Sequence, residues 1–145
     1  MRPPSRVLVV DDEPAIRALV AKIIERAGHS VDTARDGVEA IEKLDSNDYA
    51  VIVLDLMMPN IDGFAFLDHL KQRRGRNKPA VIVVSAGDSG MLRHLDGAMV
   101  HSILRKPFDI DVLGDLVAAA AKAVDDQQEQ RDKDVLPFRR NENAC

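Results

Sequence analysis

The sequence predicts an α/β protein with a five-stranded, doubly wound parallel sheet of strand order 2-1-3-4-5. Short runs of apolar and β-branched residues alternate with segments whose apolar residues recur at helical spacing, from residue 7 to residue 124. Strict alternation of strand and helix favours a parallel sheet with helices on both faces. The connections between these runs are short, which suits the 2-1-3-4-5 order.

The five predicted strands are short, and the first is wholly apolar, as expected for a strand that is buried on both faces. They cover residues 7–10, 30–34, 49–54, 80–84 and about 101–105.

Helix signals lie between and after these strands. Pro14 suits the first turn of a helix that stops at Gly28. Asp36 and Glu39 form a capping-box-like start for a second helix. The third and fifth helices cover 63–73 and about 109–124. The fourth, near 89–98, is weak because each glycine costs about 1 kcal/mol inside a helix.

Composition limits the functions that this chain can have. The 145 residues fit one domain, which we expect at residues 1–124, followed by a mobile charged tail at 125–145 where periodicity vanishes. The net charge of −4 offers no basic field for DNA or anionic lipid, and no apolar run is long enough to span a membrane. The single cysteine, Cys145, favours a reducing, cytoplasmic location.

Polar residues follow four of the predicted strands. Asp11 and Asp12 follow the first, Asp55 the third, Ser85 the fourth and Lys106 the fifth. In an open parallel sheet these strand ends meet at one edge, where the strand order reverses. Three carboxylates so close would repel one another, and a hard divalent ion such as Mg²⁺ would relieve the repulsion that one lysine leaves. This set of groups suits phosphoryl transfer, with an aspartate as a possible covalent acceptor.

These motifs resemble the receiver domains of two-component response regulators, over about residues 5–124. The resemblance rests on Asp11-Asp12, Asp55 within Asp-Leu-Met-Met-Pro-Asn-Ile-Asp-Gly, Ser85-Ala86 and Lys106-Pro107-Phe108. It implies a flavodoxin-like and CheY-like fold, and Asp55 as the acceptor of a phosphoryl group from a sensor histidine kinase or a phosphotransfer protein.

The resemblance also implies roles for the neighbouring residues. Asp12 would bind Mg²⁺ directly and Asp11 mainly through water, with Asp55 and the Met57 carbonyl completing the protein ligands. Lys106 would pair with the phosphoryl oxygens, and the Ser85 hydroxyl would hydrogen-bond them. The Lys106-Pro107 bond is a candidate for the cis form.

The expected function is therefore that of a stand-alone, phosphorylatable switch that loses its phosphoryl group slowly, rather than a turnover enzyme. It would signal by protein binding through its fourth helix, fifth strand and fifth helix, without contacting DNA. One alternative is a phosphatase of the haloacid-dehalogenase type, but that family has Asp-x-Asp and here Met57 stands two residues after Asp55. Another is a phosphate-independent pseudo-receiver, whose usual sign is a missing site residue, and none is missing.

One position departs from the family pattern. Receivers commonly carry Tyr or Phe three residues before the lysine, where this chain has Ile103. We therefore expect phosphorylation to be read out by reordering of residues 87–100 rather than by rotation of an aromatic side chain.

Overall fold

The structure is a computed structural model, and it confirms the predicted sheet. It describes residues 6–58, 62–73, 78–86, 92, 93, 95 and 100–144, with the side chains of α4 described only to residue 127 and at residue 130. The described elements are β1 (Arg6–Val10), α1 (Pro14–Arg26), β2 (Ser30–Ala34), α2 (Gly37–Ser46), β3 (Val51–Asp55), α3 (Gly63–Gln72), β4 (Ala80–Ser85), β5 (Val100–Arg105) and α4 (Ile110–Ala144).

All four strand pairs are parallel, in the order β2-β1-β3-β4-β5. β1, β3 and β4 are buried almost throughout because helices cover both faces of the sheet, and the side chains of these strands divide between two apolar clusters. One cluster includes Leu8 and Phe66, and the other includes Val9 and Leu113. Because these three strands are buried, the polar residues at their carboxyl ends lie at one edge of the sheet.

Several predicted helix and strand boundaries agree with the structure. The Asp36 side chain accepts a hydrogen bond from the Glu39 backbone N–H at 2.9 Å, and α2 begins at the next residue. Gly28 follows α1 with a φ of 98°, a left-handed conformation that glycine adopts without strain. The third strand differs at both ends: it was predicted at 49–54 but runs from Val51 to Asp55, so the aspartate is the last residue of the strand and not the first of the loop.

The last helix was predicted to end at residue 124, but α4 continues to Ala144. The segment after Val124 is rich in Asp, Gln, Glu, Arg and Asn. Gln, Glu and Arg have good intrinsic helix propensity, so loss of apolar periodicity here signals loss of burial and not loss of helix. The domain boundary at residue 124 and the mobility of 125–145 stay predictions.

The predicted fourth helix, near 89–98, lies mostly outside the described residues, and so does the segment 87–100 to which we assigned the readout. Of this segment, Leu92 and Leu95 pack against the core cluster of Leu8 and Phe66. Among the described residues, no helix is both long enough and apolar enough to cross a membrane.

Candidate functional site

Three aspartates meet at the carboxyl edge of the sheet, as the strand order predicts. Asp11 and Asp12 follow β1, and Asp55 ends the neighbouring strand β3. Each of them offers a carboxylate oxygen within 4.8 Å of the other two. Asp55 is only 4% exposed, Asp11 is equally buried, and Asp12 is half-buried. Such buried carboxylates need partners, because an isolated buried charge is very costly.

Lys106 supplies the positive charge of this cluster. Its Nζ lies 3.2 Å from Asp11 Oδ2, 3.3 Å from Asp55 Oδ2 and 3.8 Å from Glu13 Oε1. The backbone N–H of Lys106 donates to the Ser85 carbonyl oxygen at 3.1 Å, which ties this residue to the end of β4. The Lys106-Pro107 peptide bond is cis, as expected from the sequence.

The electrostatics of Asp55 and Lys106 are coupled. Burial raises the pKa of the Asp55 carboxyl above its ordinary value, and this effect outweighs the opposing hydrogen bond from the Met57 backbone N–H and the charge of Lys106. Burial alone would lower the pKa of the Lys106 amine, but Asp55 and Asp11 raise it above its ordinary value. Lys106 is therefore held in its charged form, while Asp55 lies in a site with excess negative charge.

Asp11 is held at four points, which positions the loop between β1 and α1. Its N–H donates to the Ala34 carbonyl oxygen at 3.1 Å, and its Oδ1 accepts from the Glu13 N–H at 2.9 Å. Arg17 Nη1 donates to its carbonyl oxygen at 2.9 Å, and Lys106 contacts its Oδ2.

Neither Arg17 nor Glu13 was predicted from the sequence to belong to the site. The only available signal was that Arg17 follows Glu13 by one helical turn, at the start of a helix that begins beside the acids.

The other predicted site residues differ in burial. The Met57 N–H donates to Asp55 Oδ1 at 3.0 Å, and the Met57 side chain is 55% exposed. Met57 therefore shapes the loop without packing in the core, whereas Met58 is buried there. Ser85 is 1% exposed and pairs in register with Arg105, the residue before Lys106.

Gly63 holds α3 against the end of β3. Its N–H donates to the Leu56 carbonyl oxygen at 3.0 Å. A Cβ atom at Gly63 would lie 2.5 Å from Leu56 Cα and 3.0 Å from the Asp55 carbonyl oxygen. The backbones approach so closely that only glycine fits beside Asp55, and this is the physical reason for Asp62-Gly63 in the motif.

The donor set fits Mg²⁺. The three carboxylates supply oxygen atoms only, which is the chemistry that Mg²⁺ prefers. The excess negative charge around Asp55 also favours a cation there. Asp11 and Asp55 each direct one oxygen at Lys106, so the lysine and a metal ion would divide the cluster between them.

A parallel sheet that gathers three carboxylates and a lysine at its topological switch point carries groups suited to phosphoryl chemistry. The comparison with known families agrees with this geometry. The family model described as the response regulator receiver domain matches residues 7–118, so the chain is a receiver domain of two-component signalling. Receiver domains are phospho-accepting switches rather than true enzymes. They generally bind Mg²⁺ at an acidic pocket, and they interact with histidine kinases and downstream effectors.

Curated relatives agree with this assignment. The chain is 38% identical over 108 residues to the transcriptional regulatory protein TcrA of Mycobacterium tuberculosis, a match that covers 74% of this chain and 42% of TcrA. It is also 38% identical over 112 residues to the response regulator MprA of a Mycobacterium species, with 76% of this chain and 47% of MprA covered. The chain therefore spans less than half the length of these two relatives.

Solved structures share the fold. The receiver domain of the Francisella response regulator 1452 matches with a TM-score of 0.71 at 35% identity, over 82% of this chain and 98% of that one. The chemotaxis response regulator CheY4 of Vibrio cholerae matches with a TM-score of 0.74 at 28% identity, over 81% and 99% of the two chains. The response regulator TrrA of Thermotoga maritima, solved with Mg²⁺ and a beryllium fluoride, matches with a TM-score of 0.71 at 31% identity, over 80% and 98%.

Proposed function

We propose that Asp55 accepts a phosphoryl group from a phosphohistidine on a sensor kinase or phosphotransfer protein, and that the chain signals in this form. The observation that carries the proposal is the buried carboxylate of Asp55, held 3.3 Å from Lys106 Nζ and within 4.8 Å of the oxygens of two further aspartates. A purely structural aspartate has no need of this convergence.

The proposed transfer forms one bond and breaks one. A carboxylate oxygen of Asp55 attacks phosphorus, the P–N bond to the donor imidazole breaks, and that nitrogen leaves with the bonding electron pair and takes up a proton. The product is an acyl phosphate. Lys106 Nζ, already at Asp55 Oδ2, would turn to a phosphoryl oxygen, and the Ser85 hydroxyl would donate to another.

We propose a division of labour among the metal ligands. The Asp11 carboxylate already accepts from Glu13 N–H and from Lys106, whereas Asp12 makes no side-chain hydrogen bond recorded within the described residues. This difference supports direct binding of Mg²⁺ by Asp12. Asp55 is hydrogen-bonded as fully as Asp11, so its direct binding, the water-mediated binding by Asp11 and the further ligand from the Met57 carbonyl follow from the family resemblance. When bound, Mg²⁺ would neutralise the charge of the phosphoryl oxygens.

We propose that the phosphorylated chain binds its target through the face formed by the predicted fourth helix, β5 and α4. β5 is the edge strand of the sheet, and Ile103 on its outward side is 44% exposed. Val112, near the start of α4, is also exposed. His101 and Arg105 flank Ile103 at the other exposed positions of β5, so this edge offers an apolar side chain between polar ones for protein binding.

Three further features stay predictions. They are the single-domain form, the lack of direct DNA binding and the cytoplasmic location. The two mycobacterial relatives extend well beyond the matched region, so the activities of their full lengths are not assigned to this chain.

Intact mass spectrometry tests the proposal. The protein is incubated with Mg²⁺ and acetyl phosphate, which can donate its phosphoryl group without a kinase, and with a purified phosphotransfer protein in a second arm. One added phosphoryl group is expected, and it should disappear in Asp55→Asn. Asp48→Asn, which changes an exposed aspartate outside the site, is the matched control and should be phosphorylated like the wild type.

The alternatives predict different results. Rapid release of phosphate without a trapped adduct would favour a phosphatase. The absence of an adduct from either donor would favour a phosphate-independent module, and an adduct that persists in Asp55→Asn would refute Asp55 as the acceptor.

A further inference from the structure

We propose that Arg17 is a positioning residue that holds Asp12 ready for Mg²⁺. The inference rests on the proposed function, because it takes the three aspartates as the metal site. Arg17 lies in the second turn of α1, and its Nη1 donates to the carbonyl oxygen of Asp11 at 2.9 Å. The guanidinium therefore reaches from the helix back to the loop that carries both acids.

The loop between β1 and α1 has only three residues, and Asp12 is the middle one. Its two neighbours are fixed by the protein. Asp11 is held by β2, Lys106 and Arg17, and the Glu13 N–H donates to Asp11 Oδ1 at 2.9 Å. The side chain of Asp12 makes no hydrogen bond within the part of the chain that the structure describes, and it is the most exposed of the three aspartates. The backbone on either side must therefore set its direction.

Arg17 belongs to α1, so its hydrogen bond to Asp11 comes from outside both the loop and the sheet. Without the guanidinium, the Asp11 carbonyl oxygen loses a charge-assisted hydrogen bond in a partly buried position. The peptide plane between Asp11 and Asp12 then loses one of its restraints, while the other three contacts of Asp11 remain. The direction of the Asp12 carboxylate would vary, and metal binding would have to supply the ordering that the protein now supplies.

Electrostatics alone predict the opposite effect. Arg17 is a cation close to an acidic cluster, so its removal would strengthen the attraction of the cluster for a second cation. The sign of the change in Mg²⁺ affinity therefore separates a positioning role from a mere charge effect.

The test is the dissociation constant of Mg²⁺ for the full unphosphorylated chain, measured by isothermal titration calorimetry at a temperature at which each variant is folded. We expect Arg17→Ala and Arg17→Met to bind Mg²⁺ about tenfold more weakly than the wild type, equivalent to about 1.4 kcal/mol. Arg17→Lys, which keeps the charge and a donor, should recover at least half of this loss on a logarithmic scale. Lys22→Ala removes one charge from an exposed position of the same helix and should stay within twofold of the wild type.

Three outcomes would overturn the inference. A dissociation constant of Arg17→Ala or Arg17→Met within twofold of that of Lys22→Ala would show that the Arg17 hydrogen bond does not position the metal site. Tighter binding than in the wild type would show a charge effect alone. The Met variant retains the length of the side chain, so it serves if the Ala variant does not fold. Mg²⁺ binding that survives in Asp12→Asn would overturn the proposed metal site together with this inference. Loss of Mg²⁺ binding in Asp12→Asn with no effect of the Arg17 substitutions would overturn the inference alone.

Discussion

Two Gly→Ala substitutions test whether the close contact of α3 with the end of β3 determines the geometry of the acceptor. In Gly63→Ala the new Cβ would meet Leu56 Cα at 2.5 Å and Leu56 Cδ2 at 2.7 Å. The leucine side chain can turn away, but the Cα atom belongs to the backbone. Carbon atoms prefer a separation of about 3.5–4.0 Å, so the backbone must move by roughly 1 Å.

The change in the free energy of unfolding for Gly63→Ala follows from two opposing effects. Overpacking costs typically 1–3 kcal/mol, and Ala gains about 0.5–1 kcal/mol over Gly within a helix. Gly63 is the first residue of α3, where the helical gain is small, so we expect a net loss of about 1–3 kcal/mol. Gly114 lies inside α4 and its nearest heavy atom to an added Cβ is Ile23 Cγ2 at 4.0 Å. Gly114→Ala should therefore stabilise the chain by about 0.5–1 kcal/mol.

Urea unfolding followed by circular dichroism measures both changes. A second assay follows phosphorylation by acetyl phosphate, because the moved backbone carries Asp55. A displacement of about 1 Å in a reacting group can cost roughly 100-fold in rate, so we expect Gly63→Ala to slow phosphorylation by tenfold or more while Gly114→Ala leaves the rate unchanged. Equal, favourable stability changes in the two variants, with equal rates, would refute the argument from close approach.

The remaining predictions concern single side chains. Tyr49→Phe removes a hydroxyl that donates to Asp32 Oδ2 at 2.7 Å, so urea unfolding should show a loss of about 1–2 kcal/mol, and a loss below about 0.5 kcal/mol would contradict this. Asp36→Ala removes the N-cap of α2 and should cost about 1 kcal/mol in the same assay, with Asp48→Ala as the control near zero. Burial raises the pKa of Asp55 in the folded state, so its contribution to stability is fully present below the ordinary pKa of about 4 and is lost as pH rises through the raised value. Asp55→Asn should therefore be more stable than the wild type at pH 7 without Mg²⁺, with a gap that narrows toward pH 4, and a gap that widens in acid would contradict the sign.

The sequence contained enough information for the sheet and for the convergence of the acids. In the buried strands β1, β3 and β4 the first polar residue after the apolar run marks the carboxyl end, and parallel order places the carboxyl ends of all the strands, including that of the half-exposed β5, at one edge. Asp11, Asp55 and Lys106 come from three such ends, and they meet in the structure. The prediction succeeded because it depended on strand order and not on the details of side chains.

Contacts that depend on side-chain torsions could not be predicted from the sequence. Arg17 reaches a carbonyl oxygen six residues earlier, and Arg6 and Tyr49 both contact Asp32 across the sheet. None of these three contacts leaves a periodic signal in the sequence, because each joins groups whose separation only the folded backbone sets. The close approach at Gly63 likewise depends on the path of the chain after β3, which the Asp-Gly dipeptide does not specify.

The charges around the site explain why a hydroxyl, and not a further cation, completes the proposed phosphoryl site. The four carboxylates of Asp11, Asp12, Glu13 and Asp55 face the cations Lys106 and Arg17, which leaves a formal charge of −2 that one divalent ion balances. Phosphorylation replaces one carboxylate by a group of charge about −1.5 to −2, so it adds about one negative charge or less. Neutral donors suffice for this small excess. The buried hydroxyl at the end of β4 is such a donor, and its strand pairs with the strand that carries Lys106. Movement of these two donors toward the phosphoryl group would therefore act on β4 and β5 together, next to the proposed binding face that contains Ile103 in place of the aromatic residue.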